Sequence, residues 1–478
     1  MVKKVLKFNF EAKMAIFALM CGMSLSIGLF IQDITLILLI ILFFVLIGYF
    51  VFQSSLNLFE PFTLFTLYYF TIVIAALYLH LKNFEDSAFI DSTSFSHSLH
   101  SLFNISLIYY IFGYLFALWG YKTFVRSGKP IIDFEDGVSL KSVKLLVFPF
   151  ALIGIINFAY NVYVHAGGNL FSYMQNISIR YLEFEKTGTT LGYLFAYVAS
   201  YLWFYVLLKQ RKKMSYCFLL FLVLTILMKA SSGRVFITIS YIISFIVIYY
   251  FVSMKFDEDL SNKNRRYVFA LLLIGICGVI FYFFRITSSL MHNNKISSGW
   301  LATIIQFIDF DIIMNYAILK GNVPNIPVFM KIIDSWANDI GLLYGESLLT
   351  WIYHIIPSSF KPEGYQPSVM LKNAWYPHVL SGSLPPTGVG EMYANFGVLG
   401  PFIGMFLFGS FVAFLQNLLF RFNNYWYLVI YVQIAIGFVM IYPKGEFDNL
   451  TLWFVLPIMF TLLLIKLLQT STKAYISK

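Results

Sequence analysis

The stretch MAIFALMCGMSLSIGLFIQDITLILLIILFFVLIGYFVF, Met14 to Phe52, carries a single charged side chain, Asp33. Crossing the hydrocarbon of a bilayer takes about 20 apolar residues as helix. Met14 to Ile31 and Ile34 to Phe52 each approach that length, and Gln32-Asp33 supplies a polar turn between them. The pair therefore predicts two membrane-crossing helices. The basic start MVKKVLKFNFEAK, ahead of an apolar run, has the order of a signal peptide. No small-residue cleavage site follows and the second run begins at once, so the first run is expected to remain as an uncleaved helix.

The same pattern continues along the 478 residues. Apolar runs near 14–31, 34–52, 61–81, 102–121, 143–164, 191–208, 214–230, 235–253, 267–287, 388–420, 425–442 and 450–468 predict twelve spans. A composition that is 59% hydrophobic and only 12% charged excludes a water-soluble domain of this size. The expected fold is an all-α polytopic membrane protein, one transmembrane domain over 1–478, with a long loop at 288–387 between spans nine and ten.

The net charge of +10 acquires meaning from its distribution. With the N-terminus inside, 21 of the 33 Lys and Arg fall on inside segments. These include Lys3, Lys4 and Lys7, the cluster from Lys122 to Lys144, Lys209 to Lys213, and Lys255 to Arg266. The positive-inside rule then places both termini in the cytoplasm and the long loop outside. Read this way, the basic charge orients the chain in a membrane and does not call for nucleic acid. Cys21, Cys217 and Cys277 all lie in apolar runs, which gives neither a disulfide framework nor metal spacing.

The long loop has patterned segments of its own. Leu301, Ile304, Ile305, Ile308 and Ile312 share a helical face, as do Leu348, Leu349, Ile352, Ile355 and Ile356. Both predict amphipathic helices at the membrane surface. Aromatic residues such as Trp300, Trp336, Trp351 and Trp375 suit an interface and also suit stacking against sugars.

Charge near a membrane span is expensive and tends to mark function. On the expected outer side lie Arg180, Arg234 in the tight turn SSGR, and Arg285 at the end of span nine. YPKGEFDN adds Lys444 and Glu446, and the loop holds His354 and His378. Rim cations also snorkel to lipid phosphate, and a lone loop histidine is commonly just solvated. Ser231, Ser232 and Gly233 before Arg234 offer backbone N–H groups to an anion. Glu391 opens span ten, with Asn395 one turn deeper on the same face. A carboxylate in a first turn complements the helix dipole, and Thr387 is placed to cap that helix. Asp309 and Asp311 at helical spacing point apart, and there is no Walker loop or H-E-x-x-H pattern. Gly397, Gly400 and Gly404 form a stripe that permits close helix contact.

Three stretches carry a family resemblance: ASSGRVFI at 230–237, YGESLLTWIYHIIPSSFKPEGYQP at 344–367, and TGVGEMYANFGVLGPFIG at 387–404. With the twelve-span layout they resemble bacterial oligosaccharide repeat-unit polymerases, the Wzy type that builds O-antigen and capsule. Such proteins often carry Arg after the proline of the second stretch, where this chain has Ser358. In the last outer turn they often read Arg-Gly, where this chain has Lys444-Gly445, and a lysine acts as a point charge without forked geometry.

The resemblance implies a membrane glycosyltransferase fold of the GT-C kind in the bacterial cytoplasmic membrane, working at the outer leaflet without metal, nucleotide or other cofactor. It implies transfer of a growing glycan from undecaprenyl diphosphate onto a new lipid-linked repeat. Arg234, Arg180, Arg285 and Lys444 are the candidate diphosphate ligands. Glu391, His354 and His378 are the candidate bases, and Asn395, Tyr393 and Glu446 the candidate acceptor contacts. Membrane lipids and a chain-length regulator are the expected partners. A ligase moving finished glycan to another acceptor shares the same donor. A flippase should carry its cations at midspan, where this chain is almost free of charge.

Overall fold

A computed structural model describes residues 10–53, 59–84, 94–126, 138–170, 173, 190–212, 214–230, 235–256, 325–354, 366–377, 384–421, 425–445, 447, 458–460, 462–464 and 466. Among them every regular element is helical. In chain order these are α1 (Phe10–Ile31), α2 (Ile34–Phe52), α3 (Pro61–Leu81), α4 (Leu99–Phe124), α5 (Leu140–Ala166), α6 (Thr190–Lys209), α7 (Tyr216–Ala230) and α8 (Val235–Phe256). Then come α9 (Ile326–Asp339), α10 (Glu346–Leu349), α11 (Pro367–Trp375), α12 (Gly388–Phe396), α13 (Gly400–Arg421) and α14 (Tyr425–Ile441). Short 3-10 turns cover Thr350–His354, Gly397–Leu399 and Tyr442–Lys444.

Six segments are long and apolar enough to cross a membrane: Ile34–Phe52, Pro61–Leu81, Leu99–Phe124, Leu140–Ala166, Gly388–Leu419 and Trp426–Lys444. Four further apolar helices are Phe17–Ile31, Tyr193–Lys209, Tyr216–Ala230 and Thr238–Val252. The chain is a multi-pass membrane protein by helix length and hydropathy. The expected span at 267–287 lies outside the described residues, and that at 450–468 is described only in part.

The chain forms two compact units. The first comprises Met1–Arg126, Met314–Gln416 and Phe438–Asn449; the second comprises Ser127–Ile313, Asn417–Gly437 and Leu450–Lys478.

In the first unit, neighbouring helices are tied by hydrogen bonds across apolar faces. Tyr49 pairs with Thr63 at 3.1 Å, Thr66 with Tyr114 at 2.8 Å, and the Tyr69 hydroxyl donates to the Tyr110 carbonyl at 3.2 Å. Lipid offers apolar side chains no hydrophobic drive to associate, so close backbone approach and such bonds hold helices together. Gly120 and Gly409 permit that approach between α4 and α13. A Cβ on Gly409 would stand 1.9 Å from the Ala117 carbonyl oxygen, and one on Gly120 would stand 2.2 Å from that of Phe406.

Polar contacts mark two ends of this unit. At one end Asp33 caps α2 by accepting from the Leu36 N–H at 3.1 Å, and pairs with His80, near the end of α3, at 3.0 Å. At the other, the Glu60 carboxylate accepts from Tyr121 and from the Gln416 amide. Helices α2, α3, α4 and α13 run between those ends in the alternating order read from the sequence.

Helix α9 belongs to the Asp33 end and was not foreseen as an element of the long loop. Asn325 caps it by accepting from the Val328 N–H at 3.3 Å, and Pro327 occupies its first turn. Ile326, Val328, Phe329, Ile332 and Trp336 are fully buried, with Phe329 against the rings of Tyr109 and Tyr110. The helix is thus an inserted part of the unit. Asp334 fastens it to the segment before α4. It accepts from the backbone N–H of Ser96 at 3.0 Å and of His97 at 3.1 Å, and from Lys331 Nζ at 3.1 Å. Lys331 also donates to the Ser94 carbonyl at 2.7 Å. Burial by itself would raise the Asp334 carboxyl. The Ser96 backbone, His97 and Lys331 outweigh it and hold the group below the ordinary carboxylate range.

In two places the helices differ from the sequence expectation. The amphipathic pattern at 346–356 forms a single α turn, Glu346–Leu349, followed by a 3-10 turn to His354. The span expected at 388–420 breaks at Gly397, whose φ of 65° and ψ of −149° are not helical. The chain then doubles back. Gly400 and Gly404 seat on Met392, where added Cβ atoms would stand 2.0 Å from its carbonyl oxygen and 2.3 Å from its Cγ. Only these two members of the glycine stripe make the close contact; Gly397 makes the break. The helix expected over 301–312 lies outside the described residues.

In the second unit α5 and α6 pack along their length, Gly154 of α5 lying where a Cβ would come 2.3 Å from the Ala196 Cβ. The Tyr241 hydroxyl of α8 bonds Ser200 of α6 at 2.6 Å and Thr225 of α7 at 3.2 Å.

Two measurements check this packing. Gly409→Ala should lower the thermal midpoint in detergent by the equivalent of about 1–3 kcal/mol, while Gly22→Ala, with nothing within 4 Å of the added Cβ, should leave it unchanged. Because the Asp334 carboxyl is depressed in the folded protein, its contribution is present above the ordinary carboxylate range and is lost as pH falls through the depressed value. Asp334→Asn should therefore lower the midpoint at pH 7 and flatten its fall on the acid side.

Candidate functional site

The site grows from the start of α12. Thr387 has a φ of 66° and accepts from the Gly390 N–H at 3.1 Å, the cap expected from the sequence. Its own N–H donates to the Lys444 carbonyl at 2.8 Å. Glycines let this turn come close: a Cβ on Gly388 would lie 2.5 Å from the Tyr442 carbonyl oxygen, and one on Gly445 would lie 2.4 Å from that of Thr387. The turn 442–445 is thereby seated on the N-terminus of α12, with Tyr442 within electrostatic reach of Glu391.

Glu391 and Asn395 are both 0% exposed. The Ser347 hydroxyl donates to Glu391 Oε1 at 2.9 Å and accepts from Asn395 Nδ2 at 2.6 Å. Asn395 Nδ2 also donates to the Glu391 carbonyl at 2.7 Å, and Asn395 Oδ1 accepts from the Gly345 N–H at 2.9 Å. Backbone bonds complete the seam, from Leu343 N–H to Ala394 O at 3.1 Å and from Tyr344 N–H to Asn395 O at 3.0 Å. Segment 341–347 therefore lies over the strip formed by Glu391 and Asn395. It reaches that path through left-handed residues, with φ of 93° at Gly341, 47° at Tyr344 and 92° at Gly345. Tyr344 is left 80% exposed above the seam.

A buried carboxylate and amide are costly unless their bonding capacity is met. Here both meet at one hydroxyl, so the cluster acts as a latch between loop and helix. It also fixes a negative group at the N-terminal turn of α12, where the helix dipole favours it.

The other candidates separate. Tyr393 turns to the opposite side of α12, ring to ring with Tyr109 at 5.6 Å and Phe329 at 6.4 Å. The backbone of Lys444 joins the α12 N-terminus, so Glu391, Asn395 and Lys444 are gathered in one region of the first unit. His354 ends the 3-10 turn that follows Ser347. Arg180, Arg234, Arg285, His378 and Glu446 lie outside the described residues.

Four participants were not singled out from the sequence. Ser347 lies 44 residues from Glu391, and only its place in YGES marked it. His97 and Asp334 meet across 237 residues. In the second unit Lys229, 4% exposed, sits over the Tyr197 ring at 4.0 Å and near that of Tyr241 at 5.6 Å. The described residues of that unit contain no Asp or Glu, which makes the tyrosine faces part of its electrostatic setting. A lone lysine ending the apolar run 216–230 was its available signal.

A cavity of about 420 Å³ between α1, α2 and α5's predecessor α4 is lined by apolar residues such as Phe17, Ile40 and Phe44, with Gln53 and Lys122 as polar members. It contains none of the candidate site residues. Among the described residues no group of three or more His, Cys, Asp or Glu is placed to hold a metal. Comparison with protein-family models, with curated proteins and with solved structures finds no match.

The latch is open to measurement. Asn395→Ala removes the bonds to Gly345 and Ser347 and should cost about 1–3 kcal/mol. Hydrogen exchange over 343–347 should rise while that of α4 stays as in the wild type; unchanged exchange in the loop would show that the seam does not hold it.

Proposed function

We propose that this chain is a membrane glycosyltransferase that polymerises oligosaccharide repeats carried on undecaprenyl diphosphate, at the outer leaflet of a bacterial cytoplasmic membrane. The observation that carries the reading is the meeting of two motif stretches. Gly345 and Ser347 of YGES bond directly to Glu391 and Asn395 of GEMYAN. A third motif stretch supplies Arg234. The polar ends of spans, and not their middles, carry the charge, which suits a lipid substrate whose diphosphate stays at the interface.

In this reading Arg234, with Arg180, Arg285 and Lys444, stabilises the departing lipid diphosphate. Guanidinium groups match phosphate oxygens in a forked geometry. A diphosphate is already a weak base, so it needs charge stabilisation and no protonation. The acceptor hydroxyl needs a base. Glu391, buried and engaged by Ser347, orients the segment above it. His354 and His378 remain on the acceptor side of the proposal. No cofactor takes part. Twelve spans, cytoplasmic termini and a GT-C-like architecture are the finer form of this proposal.

Glycan ligation is the second reading, since a ligase would use the same lipid donor. Purified protein given only lipid-linked repeats separates the two: a polymerase elongates them, and a ligase requires a second acceptor. Arg234→Ala should shorten the polymer ladder in a strain lacking the native gene and reduce turnover by roughly 10²- to 10³-fold. A normal ladder of long chains would remove Arg234 from the site.

A further inference from the structure

Histidine 97 stands in the segment leading into α4, and its Nδ1 lies 2.8 Å from Asp334 Oδ1. The Asp334 side chain is 0% exposed, whereas that of His97 is 68% exposed. Asp334 is fixed independently of the imidazole by the backbone N–H groups of Ser96 and His97 and by Lys331. The clamp on α9 therefore does not require a histidine ring. An ionised carboxylate only accepts, so the neutral ring keeps its proton on Nδ1 and its lone pair on Nε2. The ring edge bearing Nε2 is the one not turned to Asp334.

The surroundings suit a sugar. Phe95 and Trp375 flank Lys331, with ring centroids 5.5 and 5.9 Å from its Nζ. The Trp375 indole donates to Asp339 Oδ2 at 3.1 Å, and Ser335 donates to the same oxygen at 2.6 Å. Half-buried rings beside carboxylates and hydroxyls offer stacking faces together with hydrogen-bond partners. These groups lie at the end of the first unit that holds the Asp33–His80 pair, the end assigned to the outer side.

We propose, resting on the glycosyl-transfer reading, that His97 is the general base that takes the proton from the attacking sugar hydroxyl, with Asp334 as its positioning residue. The hydroxyl proton passes to Nε2 as its oxygen forms the new bond to the anomeric carbon of the donor. The bond from that carbon to the phosphate oxygen breaks, and the electron pair leaves on the lipid diphosphate. Asp334 stabilises the imidazolium so formed, which then releases its proton to water. Among the described residues, the charged groups tied to the His97–Asp334 pair are Lys331, bonded to Asp334, and Asp339, within electrostatic reach of both; His100 follows in the first turn of α4.

The test uses the full chain in lipid vesicles with lipid-linked repeats as substrate. His97→Asn keeps a donor near the place of Nδ1 and removes the Nε2 lone pair. Turnover should fall by about 10²-fold or more, with the KM for the lipid-linked repeat and the thermal midpoint unchanged. A variant with wild-type turnover overturns the proposal alone. So does a rate loss matched by a lowered thermal midpoint, which would make His97 part of the clamp. If the wild type elongates nothing, the same variant is measured in glycan transfer to a separate acceptor. Inactivity of the wild type in both reactions overturns the proposal together with the reading it rests on.

Discussion

The Ser347 hydroxyl, given to Glu391 and approached by the Asn395 amide, is the contact on which the meeting of loop and helix depends. A carboxylate buried at the end of an apolar helix is costly without donors, and water is excluded there. The Gly390 N–H in the first turn of α12 serves the Thr387 cap, and a donor to the carboxylate comes from elsewhere in the chain. Segment 341–347 provides it, and its left-handed residues follow from the path it must take. The turn 442–445 closes the other side through glycine contacts. Ser347 thus joins the loop to α12, and Thr387 with its neighbouring glycines joins α12 to the turn 442–445.

The same logic recurs at α9. An amphipathic helix in a loop beside a membrane has two outlets for its apolar face, the lipid interface or a protein groove. Here Phe329 and Trp336 enter the protein, and Asp334 fastens the helix by backbone and side-chain donors from the segment before α4. Both latches sit at one end of the first unit. They hold loop segments on rigid helices.

Much of this was legible in the residues. Among the described residues the apolar runs coincide with helices, save the tenth, which breaks at Gly397, since a bilayer demands a length of about 20 residues and the chain supplies it repeatedly. The Thr387 cap and the shared face of Glu391 and Asn395 follow from local spacing alone. Helix α9 had signals as well, Asn325 as cap and Pro327 in the first turn, but its apolar face was hidden in a loop treated as surface. The broken span at Gly397 was not legible, because the same glycines fit a continuous helix with a small-residue stripe. What distinguishes the two is where Met392 lies.

By itself, then, the sequence determined that the chain is helical, that it crosses a membrane many times, and where its charges gather, because helix length, hydropathy and capping act over a few turns. Only the tertiary structure decided that Ser347 is the partner of Glu391, that Asn395 is occupied in holding a loop, and that His97 rests on Asp334. Those pairings span 44, 48 and 237 residues. A hydrogen bond selects its partner by distance and direction in space, and nothing in local composition encodes which of many serines or histidines will arrive there.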